Sequence, residues 1–392
     1  MRRGLFPIGG SATVYKNNFC EALNPILGRV RVEPEILLFD MPKTIMNSSH
    51  SASRRSLLLA STAGALVAAA DASAQALAPA NKPAALAQVV GQEHWAIKKV
   101  PGQDIRLFLW NKRLAKASQP PRGTVLFVHG SSVSSTPVYD LKVPGRDDSS
   151  LMEWIARLGY DTWCFDCEGY GRSDKSRPVT ADVAMGAEDL AVVTETITQL
   201  TGQTKFMIYG ASSGALRAAL FAQRHPERVA RLIMDAMVWT GEGSPTLAER
   251  RKRLPAYLAN HRRPIDRAMI RSIFTRDHAG TSDLSVVESF ADAVLALDDS
   301  MPTGTYIDMS SKLPVCDPTQ IKVPSVILRG QYDGIASMED LLKFFDKLNH
   351  PDKQFIVMQG IAHTSTRSKN YRMVYHMIER CLSQPAPVYT GA

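Results

Sequence analysis

From residue 94 to residue 384 the chain alternates short apolar runs with longer stretches whose apolar positions recur three and four apart. Residues 94–100 and 105–110 alternate in polarity like two strands, joined by the turn Pro101-Gly102-Gln103-Asp104. The run TVLFV at 124–128 is apolar throughout, which suits a strand buried on both faces. A long polar loop follows over 131–148, then a helix over 150–158 with Ser149 or Ser150 as cap and Glu153 near its third position. Further strands are expected at 161–166, 205–209, 229–234, 323–329 and 354–358. Helices are expected at 181–200, 216–224, 337–348 and 371–381. Strands separated by helices of ten or more residues imply an α/β fold. We expect a doubly wound, mainly parallel eight-stranded sheet covered on both faces.

One region breaks the alternation. Residues 240–320 offer three helical stretches and no clear strand, and read as a helical cap inserted over the C-terminal edge of the sheet. The core is then assigned to 94–239 and 321–384. The cap is dense in arginine: Arg250, Arg251, Arg253, Arg262, Arg263, Arg267, Arg271 and Arg276. Such density usually makes a solvated face, but it also fits attraction of anionic substrates. Met269, Ile270, Phe274, Phe290, Val294 and Leu295 suit either a pocket lining or internal cap packing.

The N-terminus carries a separate signal. Ser53-Arg54-Arg55-Ser56-Leu57-Leu58-Leu59 opens an apolar run to Ala70, and Ala74-Gln75-Ala76 supplies small residues at the end. A positive start, a short apolar middle and an A-x-A close describe a cleaved export signal rather than a stable membrane anchor. The paired arginines resemble a bacterial twin-arginine signal, which implies the twin-arginine export machinery as partner and a periplasmic or secreted location. Met46 is a natural start, so residues 1–76 are set aside as extension and signal, and the Ala- and Pro-rich 77–93 as linker.

Charge and cysteine content narrow the chemistry. The whole chain carries a net charge of +8. No basic stripe with interleaved aromatics points to nucleic acid. Cys164-Phe165-Asp166-Cys167 is a single C-x-x-C, and zinc needs more ligands than one pair provides. Buried free thiols are expected, although an oxidising compartment would permit a disulfide. The sequence holds no metal cluster, phosphate loop or dinucleotide fingerprint, so no cofactor is expected.

The chemistry centres on YGASSGA. Gly210-Ala211-Ser212-Ser213-Gly214 fits G-x-S-x-G and lies between an expected strand and an expected helix. In that setting it resembles the nucleophile elbow of the α/β-hydrolase family, and the resemblance covers roughly residues 94–384. It implies that Ser212 is the nucleophile and that the Ser213 amide serves the oxyanion. The family order of Ser, acid, His implies His363 as base, since Gly360-Ile361-Ala362-His363 follows the last strand. His376, inside the final helix at core-like spacing, and His350, in a turn before proline, are the rivals. Asp333 in Gly330-Gln331-Tyr332-Asp333 is the implied acid, with Asp235 at the end of another strand as the alternative. The loop after His129-Gly130 implies Ser131 as the second oxyanion donor, with His129 structural. Asp166 to Ser173 also resembles the family's D-x-x-G-x-G-x-S turn, a fold marker. The implied activity is cleavage of a small carboxylic ester through an acyl-enzyme. Lactones, amides and carbon–carbon bonds remain open to the same triad, as does a non-catalytic binding role on the same fold.

Overall fold

The computed structural model describes residues 87–391. The expected export signal, the segment before it and the linker up to residue 86 lie outside the described residues. Within them, β1 (Val89–Val100) and β2 (Gln103–Leu114) form an antiparallel hairpin. After them come β3 (Thr124–Val128), α1 (Ser135–Tyr139), α2 (Leu151–Arg157), β4 (Asp161–Phe165) and α3 (Val183–Thr201). Next are β5 (Phe206–Ala211), α4 (Ser213–Arg224) and β6 (Val229–Asp235). A second region holds α5 (Pro245–Arg251), α6 (Leu254–Ala259), β7 (Arg262–Pro264), α7 (Arg267–Thr275), α8 (Leu284–Leu295), β8 (Ser300–Pro302) and α9 (Gly304–Ser311). The chain closes with β9 (Ser325–Gly330), α10 (Met338–Lys347), β10 (Lys353–Met358) and α11 (Tyr371–Ser383).

Eight strands make one sheet in the order β1-β2-β4-β3-β5-β6-β9-β10. β1, β2 and β4 pair antiparallel, and every pair from β4 to β10 is parallel. Every residue of β3 and β4 is buried, as expected of parallel strands covered on both faces. Helix ends follow local chemistry. The Ser150 side chain accepts from the Glu153 amide at 3.1 Å to start α2, and Asp182 accepts from the Met185 amide at 2.9 Å to start α3. Gly202, at φ 75°, ends α3 in the left-handed conformation that glycine adopts without a Cβ penalty.

Three expectations need correction. β1 begins at Val89, so residues 89–93 belong to the sheet and not to a linker. The loop over 131–148 contains α1, which is largely buried because Tyr139 packs its ring against Phe127 at 4.9 Å and donates to the Val128 carbonyl at 2.6 Å. Residues 240–320 hold five α-helices rather than three helical stretches, and a small antiparallel ribbon of β7 and β8.

That second region is tied to the sheet by polar contacts. Arg262 donates to the Gly169 carbonyl at 2.8 Å, and Asp298 accepts from the Gly171 amide at 3.0 Å and from Lys175 at 2.6 Å. The Asp166-to-Ser173 turn is thus an anchor for the helices above the sheet edge. Asp166 itself accepts from the Ser135 amide at 2.7 Å and the Arg172 amide at 2.9 Å. Among the described residues no helix is long and apolar enough to cross a membrane.

Candidate active site

The sharpest backbone feature of the chain sits where β5 meets α4. Ser212 has φ 57° and ψ −125°, a conformation that costs an L-residue about 1–3 kcal/mol and persists only where its surroundings enforce it. The two flanking glycines act through space rather than through dihedral freedom. A Cβ on Gly214 would stand 2.1 Å from the Val128 carbonyl oxygen, and one on Gly210 would stand 2.4 Å from the Gly214 carbonyl oxygen. Small residues are therefore required for α4 to start against β3, and that closeness forces the turn. The Ser212 amide donates to the Asp235 carbonyl at 2.8 Å, which fixes the turn to the neighbouring strand.

The end of β10 brings the imidazole. His363 places Nε2 3.1 Å from Ser212 Oγ and Nδ1 3.0 Å from Asp333 Oδ1. The loops after β9 and β10 lock together, since the Tyr332 amide donates to the Ile361 carbonyl at 2.9 Å. Asp333 also accepts from the Ile335 amide at 3.0 Å. Burial alone would raise the Asp333 pKa. The adjoining imidazole, through its charge and its hydrogen bond, together with the Ile335 amide outweighs burial and holds the carboxyl below the usual carboxylate range. Asp333 therefore stays ionised beside the ring. Its position favours a proton on Nδ1, leaving Nε2 free to accept from the serine hydroxyl.

Asp235 lies elsewhere. Its carboxylate accepts hydrogen bonds from Tyr209 and Ser365 and makes none to His363. Burial pushes its pKa up to about 6, against the pull of the two hydroxyl donors. His129 has the role expected of it. Its Nδ1–H donates to the Gly130 carbonyl at 2.8 Å and its Nε2 accepts from the Cys167 amide at 3.0 Å. Burial and the nearby Arg217 bring its pKa down to about 3, so it is neutral. His376 is exposed on α11, not at a core position, and His350 accepts from the Asp352 amide in a turn. Cys164, Cys167, Cys316 and Cys381 are free and buried, and burial raises each thiol pKa, so none is a ready thiolate.

Ser131 follows Gly130 at the end of β3 and joins the same small cavity as Ser212 and His363. Its hydroxyl donates to Ser213 Oγ at 2.7 Å, so the two side chains engage each other. The loop can approach because Gly130 has no side chain: a Cβ there would stand 3.3 Å from Ser212 Cβ. The Ser213 amide begins α4, where helical N–H groups lack internal partners and face an anion well.

Three residues near the triad were not singled out by the sequence pattern. Asp277, just after α7, brings a carboxylate oxygen within 4.8 Å of the ligand atoms of both Asp333 and His363. Its Oδ1 accepts from Thr246 Oγ1 at 3.0 Å, while its buried Oδ2 has no partner. With both His363 nitrogens already engaged by Ser212 and Asp333, neither is left for a metal, and the trio packs around the imidazole. Ser132 accepts from Arg263 Nη2 at 2.7 Å and pairs with the Tyr306 hydroxyl at 3.0 Å, joining the β3 loop to the helices above it. Ile273 lines the cavity at its upper side. Of the apolar residues expected as lining, Phe290 reaches this cavity and Met269 a larger one beyond it, while Ile270 and Phe274 are buried. Each of the three residues depends on long-range packing, which leaves no local signal in the sequence.

The sheet order, the strand-turn-helix at Ser212 and the placement of a late histidine after the last strand define the α/β-hydrolase fold. The chain belongs to the hydrolase family described as serine aminopeptidase, S33, whose model matches residues 119–370. No curated protein matches the sequence. Among solved structures, a malate-bound thermophilic esterase from Thermogutta terrifontis is 20% identical with a TM-score of 0.53, over 74% of this chain and 98% of that one. A monoacylglycerol lipase from Paleococcus ferrophilus is 20% identical with a TM-score of 0.51, over 71% and 99%. A soluble variant of the monoglyceride lipase of Saccharomyces cerevisiae, in complex with a substrate analogue, is 19% identical with a TM-score of 0.55, over 77% and 98%. These likenesses establish the shared fold.

Proposed function

We propose that the protein hydrolyses carboxylic esters, with Ser212 as nucleophile, His363 as base and Asp333 as the orienting acid. The observation that carries the reading is the continuous chain from Ser212 Oγ to His363 Nε2 at 3.1 Å and from His363 Nδ1 to Asp333 Oδ1 at 3.0 Å. In this mechanism His363 takes the Ser212 proton as Oγ attacks the ester carbonyl. The Ser131 and Ser213 amides stabilise the developing oxyanion, a contribution of about 3 kcal/mol per donor in comparable sites. The imidazolium then protonates the leaving alcohol, and an acyl-Ser212 intermediate forms. Water, deprotonated by the same histidine, releases the acid. Asp333, ionised and buried, stabilises the imidazolium at both steps.

The esterase and lipase names of three fold neighbours favour an ester over an amide. The family description suggests cleavage at a peptide amino terminus. That substrate brings an ammonium group, and the cavity over Ser212 has Arg250, Arg276 and Arg367 in its walls, which repel it. A panel of short and long acyl esters, lactones and amides, assayed with the wild type and with Ser212→Ala, tests the reading. Esters should turn over fastest, and Ser212→Ala should lower kcat/KM by about five to six orders of magnitude. Ester turnover that survives in Ser212→Ala would contradict it.

A further inference from the structure

Two cavities meet above Ser212. The inner one, about 60 Å³, has Ser212 and His363 in its floor and Arg250, Arg276 and Arg367 in its walls. The outer one, about 710 Å³, shares Arg250, Ile273 and Arg276 with it and adds Arg253 and Arg263. Five arginines thus line this space, with Asp277 and Glu249 as the carboxylates of its lining. Glu249 is taken by Lys252 at 2.6 Å, and Asp277 lies 3.4 Å from Arg276 Nε.

Arg250 and Arg276 stand at the junction of the two spaces. Among the described residues, the polar contact of Arg250 is Met309 Sδ at 3.9 Å, and no carboxylate lies within ion-pair distance of it. Its guanidinium carbon sits 4.3 Å from the Tyr306 ring centroid, and that of Arg263 sits 4.1 Å from the same centroid. Stacking on a ring orients a guanidinium but does not neutralise it. Burial and the repulsion of Arg276 and Arg263 lower the Arg250 pKa. Burial would also raise the Tyr306 phenol, yet Arg250, Arg263 and Arg276 overcome it and bring that phenol down to about 6, so at neutral pH its phenolate offsets one of the three positive charges and leaves the cluster net positive.

The outward arginines of the same region behave differently. Arg271 and Arg267 form ion pairs with Glu288 at 2.6 Å and 3.0 Å. Unpaired cations are costly away from water, and a guanidinium fork matches the two oxygens of a carboxylate or phosphate. We propose that Arg250 and Arg276 form an anion subsite beside Ser212, and that the substrate is an ester carrying its own carboxylate or phosphate group. This rests on the ester reading above and specifies its substrate class.

The test compares p-nitrophenyl butyrate with p-nitrophenyl hemisuccinate, two acyl chains that differ in a terminal carboxylate. The wild type should prefer the hemisuccinate in kcat/KM by about tenfold to a hundredfold, the worth of one or two charge-assisted contacts. Arg250→Gln and Arg276→Gln should each pull that ratio down by about tenfold. A wild-type ratio at or below one, or a ratio unmoved in both variants, overturns the proposal. Calorimetric titration of the wild type with succinate and with inorganic phosphate reads the subsite without turnover or mutation. Tighter binding of succinate assigns a carboxylate, tighter binding of phosphate assigns a phosphate ester, and binding of neither overturns the subsite. Succinate binding with no ester cleaved would retain the subsite and remove the ester reading.

Discussion

Lys98 in the sheet and Arg250 in the helical region are both basic side chains drawn away from solvent, and they meet different surroundings. Lys98 Nζ lies 2.7 Å from Asp189 and 3.4 Å from Glu168, and Lys112, further along the same hairpin, is held by Asp140 at 2.9 Å and Glu153 at 2.6 Å. Arg250 and Arg263 have no carboxylate within ion-pair distance among the described residues; both lie against the Tyr306 ring, and Arg263 also donates to Ser132 Oγ. A buried cation with partners belongs to the fold, since removing one partner strands a charge at a cost of several kcal/mol. A sheltered cation with no carboxylate of its own, such as Arg250, can take one from outside. On the function proposed above, the sheet side supplies the catalytic floor and the helices above it the selection of substrate.

The largest effect that can break this division concerns the acid of the floor. Asp333→Asn should lower kcat/KM on a preferred ester by about 10⁴-fold, because the imidazole loses the partner that sets its tautomer. Asp235→Asn should change it less than about tenfold, since that carboxylate contacts Tyr209 and Ser365 and not His363. A greater loss at Asp235 in steady-state assays would overturn the assignment. A stability effect comes next. Gly214→Ala puts a methyl against the Val128 carbonyl oxygen, a backbone atom that cannot step aside, and should destabilise by about 3 kcal/mol. Urea unfolding reads this, and a wild-type midpoint would show that the elbow is not tightly apposed to β3.

Asp235 also gives a pH signature. Its folded pKa of about 6 exceeds the ordinary carboxylate value, so the folded state favours the protonated form. The stability this provides is complete below about pH 4 and is lost as pH rises through about 6. Asp235→Asn does not titrate. The difference in urea midpoint between variant and wild type should therefore move in the variant's favour from pH 4 to pH 7, and a difference flat in pH would contradict the burial argument. The smallest effect sharpens the contrast between inner and outer arginines. Arg271→Gln, on an exposed ion pair, should leave the urea midpoint close to that of the wild type and the hemisuccinate-to-butyrate ratio unmoved.

The floor was legible in the sequence because each of its parts leaves a local mark. Two glycines around Ala-Ser-Ser between an apolar strand and a helix can be read as a turn, and the histidine after the last strand follows from chain order. The region above was legible only as an arginine-rich insertion. Its helices are short and carry arginine on both faces, so spacing alone cannot say that Arg271 points outward to Glu288 while Arg250 points inward to Tyr306. Asp277 comes near His363 and Asp333 only through tertiary packing, in which its carboxylate accepts from Thr246. Residues 89–93 were missed as strand because Gly91, Gln92 and Glu93 break the apolar pattern, and α1 because STPVY has a proline in its first turn. In both places pairing and burial overrule a weak local preference.

Treatment of the folded protein with a fluorophosphonate, followed by peptide mass spectrometry, tests most directly whether the strained hydroxyl beside His363 is an activated nucleophile. A single adduct on Ser212, absent after acid unfolding and absent in the Ser212→Ala protein, is the predicted result. An unmodified Ser212 in active protein, or an adduct on Ser213 in its place, would contradict it.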